Sequence, residues 1–436
     1  MRLLRAGEKE FKTYLLKVEQ RGAQDGIHLE REVRSILEDV RQKGDEALVH
    51  YTQVFDGVRV QARSLQVERG EIKQAYRKVP REFLRTLEKA ARRIRKFHQS
   101  VSKQSISRYV PGNAGLDKGV RLGQVIRPLE KVGIYVPGGK ASYPSTVLMA
   151  AIPAKVAGVK EIIMTTPPHK DGINPAVLVA ADLVGVDEIY RIGGAQAIAA
   201  LAYGTVSIPK VDKIVGPGNR YVATAKRLVY GAVDVDMVAG PSEIVIVSDE
   251  KTPPSFVAAD LISQAEHDEM ALAILITTSE AFGRVVRKEL ERQLSCLKRG
   301  EIAQASLKRR GAILIVKDLE QAMALVNRIA PEHLELSISK ALSLMKDVKH
   351  AGAVFLGLHT PEAIGDYLAG PNHIIPTGGT ARFSSPLVVE DFIKRINLIS
   401  FTRGALRRFE KDVKRFAEWE GLEGHYQAVR MRVKKR

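Results

Sequence analysis

Val132-Gly-Ile-Tyr-Val136 is an apolar run of strand length, and a helical segment at residues 146–157 separates it from the next such run, Glu161-Ile-Ile-Met-Thr165. This alternation continues along most of the chain, through the apolar runs 188–192, 213–215, 243–248, 273–277, 312–316 and 352–356. Strands that are apolar along their whole length are typical of parallel sheets that helices cover on both faces. The sequence therefore predicts an α/β fold with two doubly wound parallel-sheet units, each of an incomplete Rossmann-like kind.

Four regions of the chain differ in their residue patterns, and each is a domain prediction. Residues 1–130 are mainly helical in pattern and are expected to contribute partly to the second α/β unit. Residues 131–240 are predicted to form the first Rossmann-like unit, and residues 241–385 the second. Residues 386–436 are charged and are predicted to form a helical, basic C-terminal tail.

The composition is that of a soluble globular protein. Of 436 residues, 45% are apolar and 27% are charged. Cys296 is the only cysteine, which excludes an intrachain disulfide and a cysteine-rich zinc site. No window approaches the ~20 apolar residues of a membrane-spanning helix, and the first residues lack the apolar core of a signal peptide. We therefore expect a cytoplasmic protein without a membrane partner.

The formal net charge of +18 raises the alternative of a nucleic-acid-binding protein. Part of the excess lies in residues 89–96 and 430–436. Neither segment has interleaved aromatic residues suited to base stacking, and neither contains a recognisable nucleic-acid motif. We interpret them as a solvated helix face and a basic tail, so that no nucleic-acid partner is expected.

Glycine-rich turns follow three apolar runs of the first unit, at residues 135–139, 191–196 and 215–219. Ligands of parallel sheets bind outside the carboxyl ends of the strands, where glycine lets a phosphate approach the backbone and a helix offers free amides. The dinucleotide fingerprint is incomplete, because Tyr221 stands where its last glycine belongs. The turns therefore predict a ligand site without naming the ligand.

Gln264 and His267 follow a helical run and lie three residues apart, a spacing that places an amide oxygen and an imidazole on one helix face. Asp366 and His425 come later in the chain. Amide, carboxylate and imidazole groups are ligands for a borderline cation such as zinc, and manganese or cobalt would also fit. The spacing alone is weak evidence, because these residues are widely scattered.

Pro331-Glu332-His333 places a carboxylate next to an imidazole, and two interpretations remain open. Histidine is the usual general base near neutral pH and a carboxylate can activate water, so both residues could act on one substrate. Alternatively, the segment is a helix start, with Pro331 in the first turn and Glu332 favouring the helix dipole. His373 lies in a loop dense with turn residues, and such loops often line sites. The remaining polar settings predict exposure for His28, His50, His98 and His169.

Nine motifs together resemble the histidinol dehydrogenase family, in family order over about residues 125–430. They are Tyr135-Val-Pro-Gly-Gly139, Gly216-Pro-Gly-Asn219 and residues 193–201, 239–243, 263–267, 330–334, 365–367, 371–373 and 420–425. The resemblance implies two consecutive oxidations of L-histidinol, through L-histidinal, to L-histidine. It also implies the use of two NAD⁺ and a place as the last step of histidine biosynthesis.

The resemblance further implies the residues of each site. One zinc would be bound by Gln264, His267, Asp366 and His425. NAD would contact Tyr135, Gln196 and Asn219. Substrate would contact the zinc ligands together with Ser242, His333, His373 and Glu420. His333 would accept the hydroxyl proton and Glu332 would activate water. In the family the tail crosses to the partner subunit, so Glu420 and His425 would complete the neighbour's site in a homodimer.

Three other functions compete with this interpretation. A related zinc- and NAD-dependent dehydrogenase could oxidise another small alcohol, although Glu420 and His373 favour histidinol. A zinc hydrolase could use Glu332 beside the possible ligands, but it would leave the glycine turns without a role. A nucleic-acid-binding protein would leave the four proposed zinc ligands unexplained.

Overall fold

The computed structural model describes the chain except for residues 24–25, 103–108, 112–117, 139–141, 239, 298–299 and 435–436. Gly139 and Ala239, which belong to two of the motifs above, lie outside the described residues. The chain forms two compact units. The first comprises Met1–Ser100 and Glu130–Phe392, and the second comprises Val101–Leu129 and Ile393–Arg436.

The described strands and helices alternate through most of the first unit. In chain order the strands are β1 (Arg2–Arg5), β2 (Tyr109–Pro111), β3 (Val120–Pro128), β4 (Lys131–Tyr135), β5 (Glu161–Thr166), β6 (Glu188–Arg191), β7 (Lys213–Val215), β8 (Asp234–Val235), β9 (Glu243–Ser248), β10 (Leu272–Thr277), β11 (Ala312–Ile315), β12 (His333–Ser337), β13 (Ala353–Leu356) and β14 (Ile393–Phe401). The α-helices are α1 (Lys9–Glu19), α2 (Ile27–Lys43), α3 (Asp45–Asp56), α4 (Arg69–Lys78), α5 (Arg81–Val101), α6 (Pro144–Ala157), α7 (Pro175–Val184), α8 (Gly194–Tyr203), α9 (Arg220–Val229), α10 (Pro254–Ala265), α11 (Glu280–Leu294), α12 (Gly300–Arg309), α13 (Leu319–Ile329), α14 (Ala341–Leu344), α15 (Glu362–Tyr367), α16 (Arg403–Trp419) and α17 (Glu423–Val433). None of these described helices combines the length and the apolar composition needed to span a bilayer.

Two parallel sheets organise the first unit. The five-stranded sheet has the order β6-β5-β4-β7-β8, and the six-stranded sheet has the order β1-β11-β10-β9-β12-β13. In each sheet the strand order reverses beside one strand, β4 in the first and β9 in the second, and such switch points are where parallel sheets bind ligands. The predicted α/β fold with two doubly wound sheets is confirmed.

The central strand β9 shows why these sequences form buried parallel strands. All six of its residues are buried. Ile244 and Ile246 pack with α10 on one face, whereas Val245 and Val247 pack on the other face in a cluster that includes α1 and α13. Burying each such side chain contributes about 1.5–3 kcal/mol, and a strand covered on both faces is therefore apolar throughout.

The N-terminal residues add a strand to one sheet and a covering helix to the other. Strand β1 pairs with β11 at one edge of the six-stranded sheet, with Arg2 opposite Ala312. Helix α2 instead covers the five-stranded sheet, because its apolar stripe shares a core cluster with α8. The N-terminal residues are therefore integral to both cores of the first unit.

Strand β14 corrects the prediction that the chain is helical from residue 386. Residues Ile393–Phe401 run antiparallel to β3, with Ile393 opposite Pro128 and Phe401 opposite Val120. Helix α16 begins only after Thr402, whose hydroxyl accepts a hydrogen bond from the Ala405 amide as an N-cap. The isoleucines of this segment favour a strand, and the partner strand that decides the matter is remote in sequence.

His98 also differs from its prediction, because it is fully buried instead of exposed. It continues the buried stripe of α5 that contains Leu87, Ala91 and Ile94, at helical spacing. Neither ring nitrogen has a hydrogen-bond partner among the described residues. Burial lowers the pKa of His98 to about 4, although nearby Glu390 opposes the shift. The imidazole is therefore held neutral in the folded chain.

Acid should destabilise the chain through His98. The unfolded chain binds this proton near pH 6.5 and the folded chain only near pH 4, so stability is complete above the first value and falls as the pH drops to the second. The loss should approach about 3 kcal/mol and should be removed by His98→Leu. Urea unfolding between pH 4 and 7 measures it. His50→Gln, which changes an exposed imidazole, should keep the wild-type pH dependence; an unchanged profile in His98→Leu would contradict the assignment.

Candidate active site

His333 is the first residue of strand β12 and Glu332 immediately precedes it, so the interpretation of this segment as a helix start is wrong. Helix α13 ends just before it, and Ala330 adopts a left-handed conformation with φ of 48°. A residue in this conformation commonly terminates a helix. Pro331 therefore follows a helix end, and the chain enters the six-stranded sheet beside β9 at His333.

One residue of β9, Glu243, holds both side chains through its backbone. Its amide donates to Glu332 Oε2 at 2.7 Å, and its carbonyl oxygen lies 3.0 Å from His333 Nδ1. Because a carbonyl oxygen can only accept, Nδ1 carries the proton in this contact. The neutral imidazole therefore presents Nε2 as an acceptor.

The Nε2 side of His333 faces carboxylates of helix α15. Glu362 Oε1 lies 3.7 Å from Nε2, and ligand atoms of His333, Glu362 and Asp366 all lie within 4.8 Å of one another. Glu362 is buried, and its Oε1 has no hydrogen-bond partner among the described residues. Such a group of one imidazole and two carboxylates could hold a divalent cation.

Burial and the density of acidic groups shift the pKa values of this cluster. Burial raises the pKa of Glu332, and burial together with Asp366 raises the pKa of Glu362 to about 8. Burial alone would lower the pKa of His333, but Glu332, Glu362 and Asp366 outweigh it and raise that pKa to about 10. With these carboxylates unbalanced, the imidazole of His333 would carry protons on both nitrogens near neutral pH. A metal ion bound among the carboxylates would balance their surplus charge and favour the neutral imidazole, in which Nε2 can accept a proton.

Gln264 lies in α10, a helix that contacts this cluster through another residue. Its neighbour Ser263 donates to Glu362 Oε2 at 3.4 Å. The Gln264 side chain is fully buried, and neither amide atom has a partner among the described residues. Buried polar groups are nearly always bonded, so an orphaned amide points to a ligand that supplies the missing contact.

His267 corrects the prediction that it shares a helical face with Gln264. Helix α10 ends at Ala265, and His267 lies beyond its C-cap. The imidazole is half-buried, with Nδ1 3.3 Å from the Gln264 carbonyl oxygen. The chain turns toward β10 after this helix end. Helical geometry therefore does not extend to His267, and the spacing of three residues does not place the two side chains on one helical face.

His373 and Asp366 are brought together as a pair. His373 Nδ1 lies 3.0 Å from the Asp366 carbonyl oxygen and 3.4 Å from its Oδ1. Burial alone would raise the pKa of Asp366, but His373 and His333 lower it below its ordinary value. Ser242 is half-buried immediately before β9 and next to Glu243. The described first unit therefore assembles His333, Asp366 and His373 around the start of β12.

A cavity lies at the carboxyl ends of the strands of the five-stranded sheet. It has a volume of about 470 Å³, and Tyr135, Gln196 and Asn219 all line it. Gln196 is fully buried with both amide atoms unpartnered among the described residues. Asn219 Oδ1 caps α9 by accepting from the amides of Tyr221 and Val222. The three predicted cofactor residues therefore share one cavity.

Gly216 shows why one glycine turn is required here. It has φ of 112°, and a Cβ atom added to it would lie 2.2 Å from the Tyr135 carbonyl oxygen. The turn after β7 therefore packs directly against the end of β4, and any larger residue would push the two strand ends apart. This close approach shapes the wall of the cavity.

Glu420 and His425 belong to the second unit. Glu420 is the C-cap of α16, and His425 lies in α17. Both side chains are exposed. The two remaining predicted ligands are thus carried on a separate compact unit from Gln264, His267 and Asp366.

Comparison with known proteins agrees with these features. The family model for histidinol dehydrogenase matches residues 19–433. The histidinol dehydrogenase of Syntrophotalea carbinolica is 54% identical over 434 residues, which cover 100% of this chain and 99% of that protein. The chain belongs to the histidinol dehydrogenase family. The histidinol dehydrogenase of Geobacter sulfurreducens is 50% identical over 436 residues and 100% of both chains.

A solved structure supports the same membership. The crystal structure of histidinol dehydrogenase from Elizabethkingia anophelis is similar with a TM-score of 0.90 and 37% identity, covering 99% of this chain and 98% of that one. The predicted family is confirmed, and this member of the histidinol dehydrogenase family is an oxidoreductase.

Sequence reasoning missed two buried residues that support the pair in this histidinol dehydrogenase family member. Arg21 donates to the Glu243 carboxylate from Nε at 2.5 Å and from a terminal nitrogen at 2.7 Å, and Gly378 donates to it at 3.1 Å. The side chains of Arg21 and Glu243 are only 2% and 3% exposed. An acidic residue opening the apolar run 243–248 was a usable signal, whereas nothing near Arg21 indicated its partner.

Breaking this buried ion pair should destabilise the chain strongly. Arg21→Met or Glu243→Met alone leaves a buried charge without its partner, which costs about 3–5 kcal/mol. The double variant should lose less than the sum of the singles, because it removes both charges. Urea unfolding of all four proteins measures the coupling. Strictly additive losses would show that the two side chains do not depend on each other.

Proposed function

We propose that this chain oxidises L-histidinol to L-histidine through L-histidinal with two NAD⁺, as the last step of histidine biosynthesis. Family membership supports the substrate class. The observation that carries the chemistry is that the backbone of one residue, Glu243, bonds to both Glu332 and His333 and orients both side chains. Two fixed acid–base groups suit a reaction with two different proton-transfer steps.

His333 is the proposed base of the first step. Its Nδ1 is engaged by the Glu243 carbonyl, so in the neutral imidazole that a bound cation would favour, Nε2 is the nitrogen available to accept the hydroxyl proton. The side chain is only 5% exposed, which keeps bulk water from competing for that nitrogen. Removal of this proton assists the departure of hydride toward NAD⁺, which is the electron acceptor.

Glu332 is the proposed base of the second step. An aldehyde must gain water before it can lose a second hydride, and a carboxylate can take the proton from that water. Glu332 Oε2 is held by the Glu243 amide, and the carboxylate stands beside the first base, with 3.5 Å between Oε2 and His333 Nδ1. One residue of β9 thus holds both bases at the start of β12.

The donor groups of the proposed ligands suit a zinc ion, and Asp366 is the ligand that they share with the described group of His333, Glu362 and Asp366. Gln264, His267 and Asp366 offer an amide oxygen, an imidazole and a carboxylate, and His425 of a second chain would add another imidazole. The orphaned amide of Gln264 supports the assignment, because burial without a partner is costly. When bound, zinc would fix the imidazole and amine of the substrate, and manganese or cobalt would suit the same donors.

The residues of the 470 Å³ cavity fit NAD⁺. The side-chain amide of Gln196 is buried without a partner among the described residues, and helices α8 and α9 begin at this edge of the sheet. Helix N-termini attract phosphate groups. Tyr135, Gln196 and Asn219 are therefore the proposed cofactor contacts.

We further propose a homodimer in which the second unit of each chain completes the partner's site. Glu420 and His425 are exposed on that unit. The same unit exposes large apolar side chains, among them Ile399 at 72%, Phe416 at 70% and Trp419 at 92%. Apolar surface of this kind commonly marks a protein interface. We propose this homodimeric assembly, and we propose that the protein is cytoplasmic.

A steady-state assay with L-histidinol and NAD⁺ tests the function. It should yield two NADH for each histidine formed, and a chelator should abolish turnover while leaving the fold largely intact, as circular dichroism measures. Restoring zinc should restore turnover. One NADH per turnover, with histidinal accumulating, would contradict the second step, and full activity in chelator would contradict the metal assignment.

A further inference from the structure

One side chain in the 470 Å³ cavity has no role in the function proposed above. Asp56, the last residue of α3, lines this cavity together with Phe55 of the same helix and Ile36 of α2. The sequence motifs gave no reason to select it, because it lies in the N-terminal helical region. The fold nevertheless brings it to the carboxyl ends of the five-stranded sheet.

The setting of Asp56 is unfavourable for a carboxylate with a purely structural role. Its Oδ2 is enclosed by protein and has no hydrogen-bond partner among the described residues. A carboxylate at the end of a helix also opposes the helix dipole. Burial raises the pKa of Asp56 to about 6, although His169 across the cavity opposes the shift. The folded chain thus keeps an acid that lowers its own stability, a pattern expected of a group that awaits a ligand.

The described lining of the cavity offers no cationic partner for a 2′-phosphate on the adenosine ribose. Among its described lining residues there is no lysine or arginine, and Asp56 supplies the only carboxylate. A 2′-phosphate on the adenosine ribose is usually bound by arginine, whereas a ribose hydroxyl is bound by an acidic residue. The cavity is therefore suited to a dinucleotide whose ribose hydroxyls are free.

We infer that Asp56 accepts a hydrogen bond from a ribose hydroxyl of the dinucleotide and determines the choice of NAD⁺ over NADP⁺. The inference rests on the proposed NAD⁺ dependence and adds the residue that sets cofactor specificity. A free ribose hydroxyl donates a hydrogen bond to the carboxylate, whereas a 2′-phosphate would place its negative charge beside that of the carboxylate. Asp56 thus acts through binding and leaves the acid–base steps to Glu332 and His333.

Steady-state kinetics of Asp56→Asn and Asp56→Ala with each cofactor test the inference on the full-length protein. The KM for NAD⁺ should rise about tenfold or more with kcat nearly unchanged, because a hydrogen bond to a charged group is lost. The ratio of kcat/KM for NAD⁺ to that for NADP⁺ should fall about tenfold or more, because the repulsion of the 2′-phosphate also disappears. The unfolding midpoint should not fall, which separates a binding role from a structural one.

Glu32→Gln is the matched control. Glu32 is exposed on α2 and accepts a hydrogen bond from the hydroxyl of Tyr221, a cavity residue, at 3.1 Å, but it does not line the cavity. Its loss changes the charge near the cavity by the same amount and should leave the cofactor ratio unchanged. An equal fall in this control would reduce the Asp56 effect to general electrostatics and overturn the inference.

Binding of ADP-ribose and of its 2′-phosphate, measured by calorimetry, separates the two levels of the proposal. Wild type should favour ADP-ribose, and Asp56→Asn should lose that preference. If wild type fails to oxidise histidinol with NAD⁺ but shows the preference, the proposed function fails and Asp56 retains its role. If wild type is active while both variants keep the wild-type preference, or if both variants lose stability, the inference about Asp56 is wrong.

Discussion

His333→Ala should slow the oxidation of L-histidinol by about 10²–10⁴-fold, the range expected for loss of a positioned general base. Glu332→Gln should instead act chiefly on the oxidation of added L-histidinal, because glutamine cannot take a proton from water. The division follows from the geometry. The Glu243 carbonyl fixes His333 with Nε2 outward, and the Glu243 amide fixes Glu332 beside it. Glutamine retains an oxygen that can accept from that amide, so the loss should be chemical and not structural.

Single-turnover experiments that start from L-histidinol and from L-histidinal separate the two steps. His359→Ala is a matched control, because that imidazole is exposed and plays no part in the proposed site. It should leave both rates at the wild-type level. Equal slowing of both steps in both variants would argue against the division of labour, and normal rates in His333→Ala would remove its assignment as a base.

The sequence predicted the strands best where burial decides the residue types. Runs such as Glu243–Ser248 are apolar because helices cover both faces of the strand, and this constraint is visible locally. Strand β12 was missed in part because Glu332 and His333 are polar residues placed in a buried site for chemistry. Strand β14 was missed because its isoleucines alone do not decide between strand and helix, and its partner β3 precedes it by more than two hundred residues.

The candidate site was accessible from the sequence only through motifs. Gln264 and Glu332 stand in short stretches that resemble the family, and their burial gives these stretches a physical meaning. The buried residues that hold these side chains in place could not be predicted from the sequence. Arg21 meets Glu243 across more than two hundred residues, and Glu362 reaches His333 only after α15 packs against α10. Buried ion pairs of this kind depend on tertiary packing, which single-sequence reasoning does not resolve.

Mixing two inactive variants should restore activity if the proposed site is shared between chains. His333→Ala removes the base carried by the first unit, and His425→Ala removes a ligand carried by the second unit. Each homodimer should be nearly inactive. In a mixed dimer, one site combines an intact His333 from one chain with an intact His425 from the other, while the second site carries both defects. Each mixed dimer should therefore show about half the activity of a wild-type dimer, by the symmetry of the exchange.

Isolated heterodimers, purified through two different affinity tags, make the measurement independent of the mixing ratio. His425 is exposed in the single chain, so its replacement should not disturb the fold of the second unit. A heterodimer that carries both substitutions on one chain and none on the other is the essential control. If sites are shared, each of its two sites holds one defect and it should be nearly inactive. If each chain builds its own site, this control keeps about half of the wild-type activity and the first heterodimer has none, since the symmetry then confines each defect to one chain. The two arrangements thus predict opposite results from the same pair of substitutions.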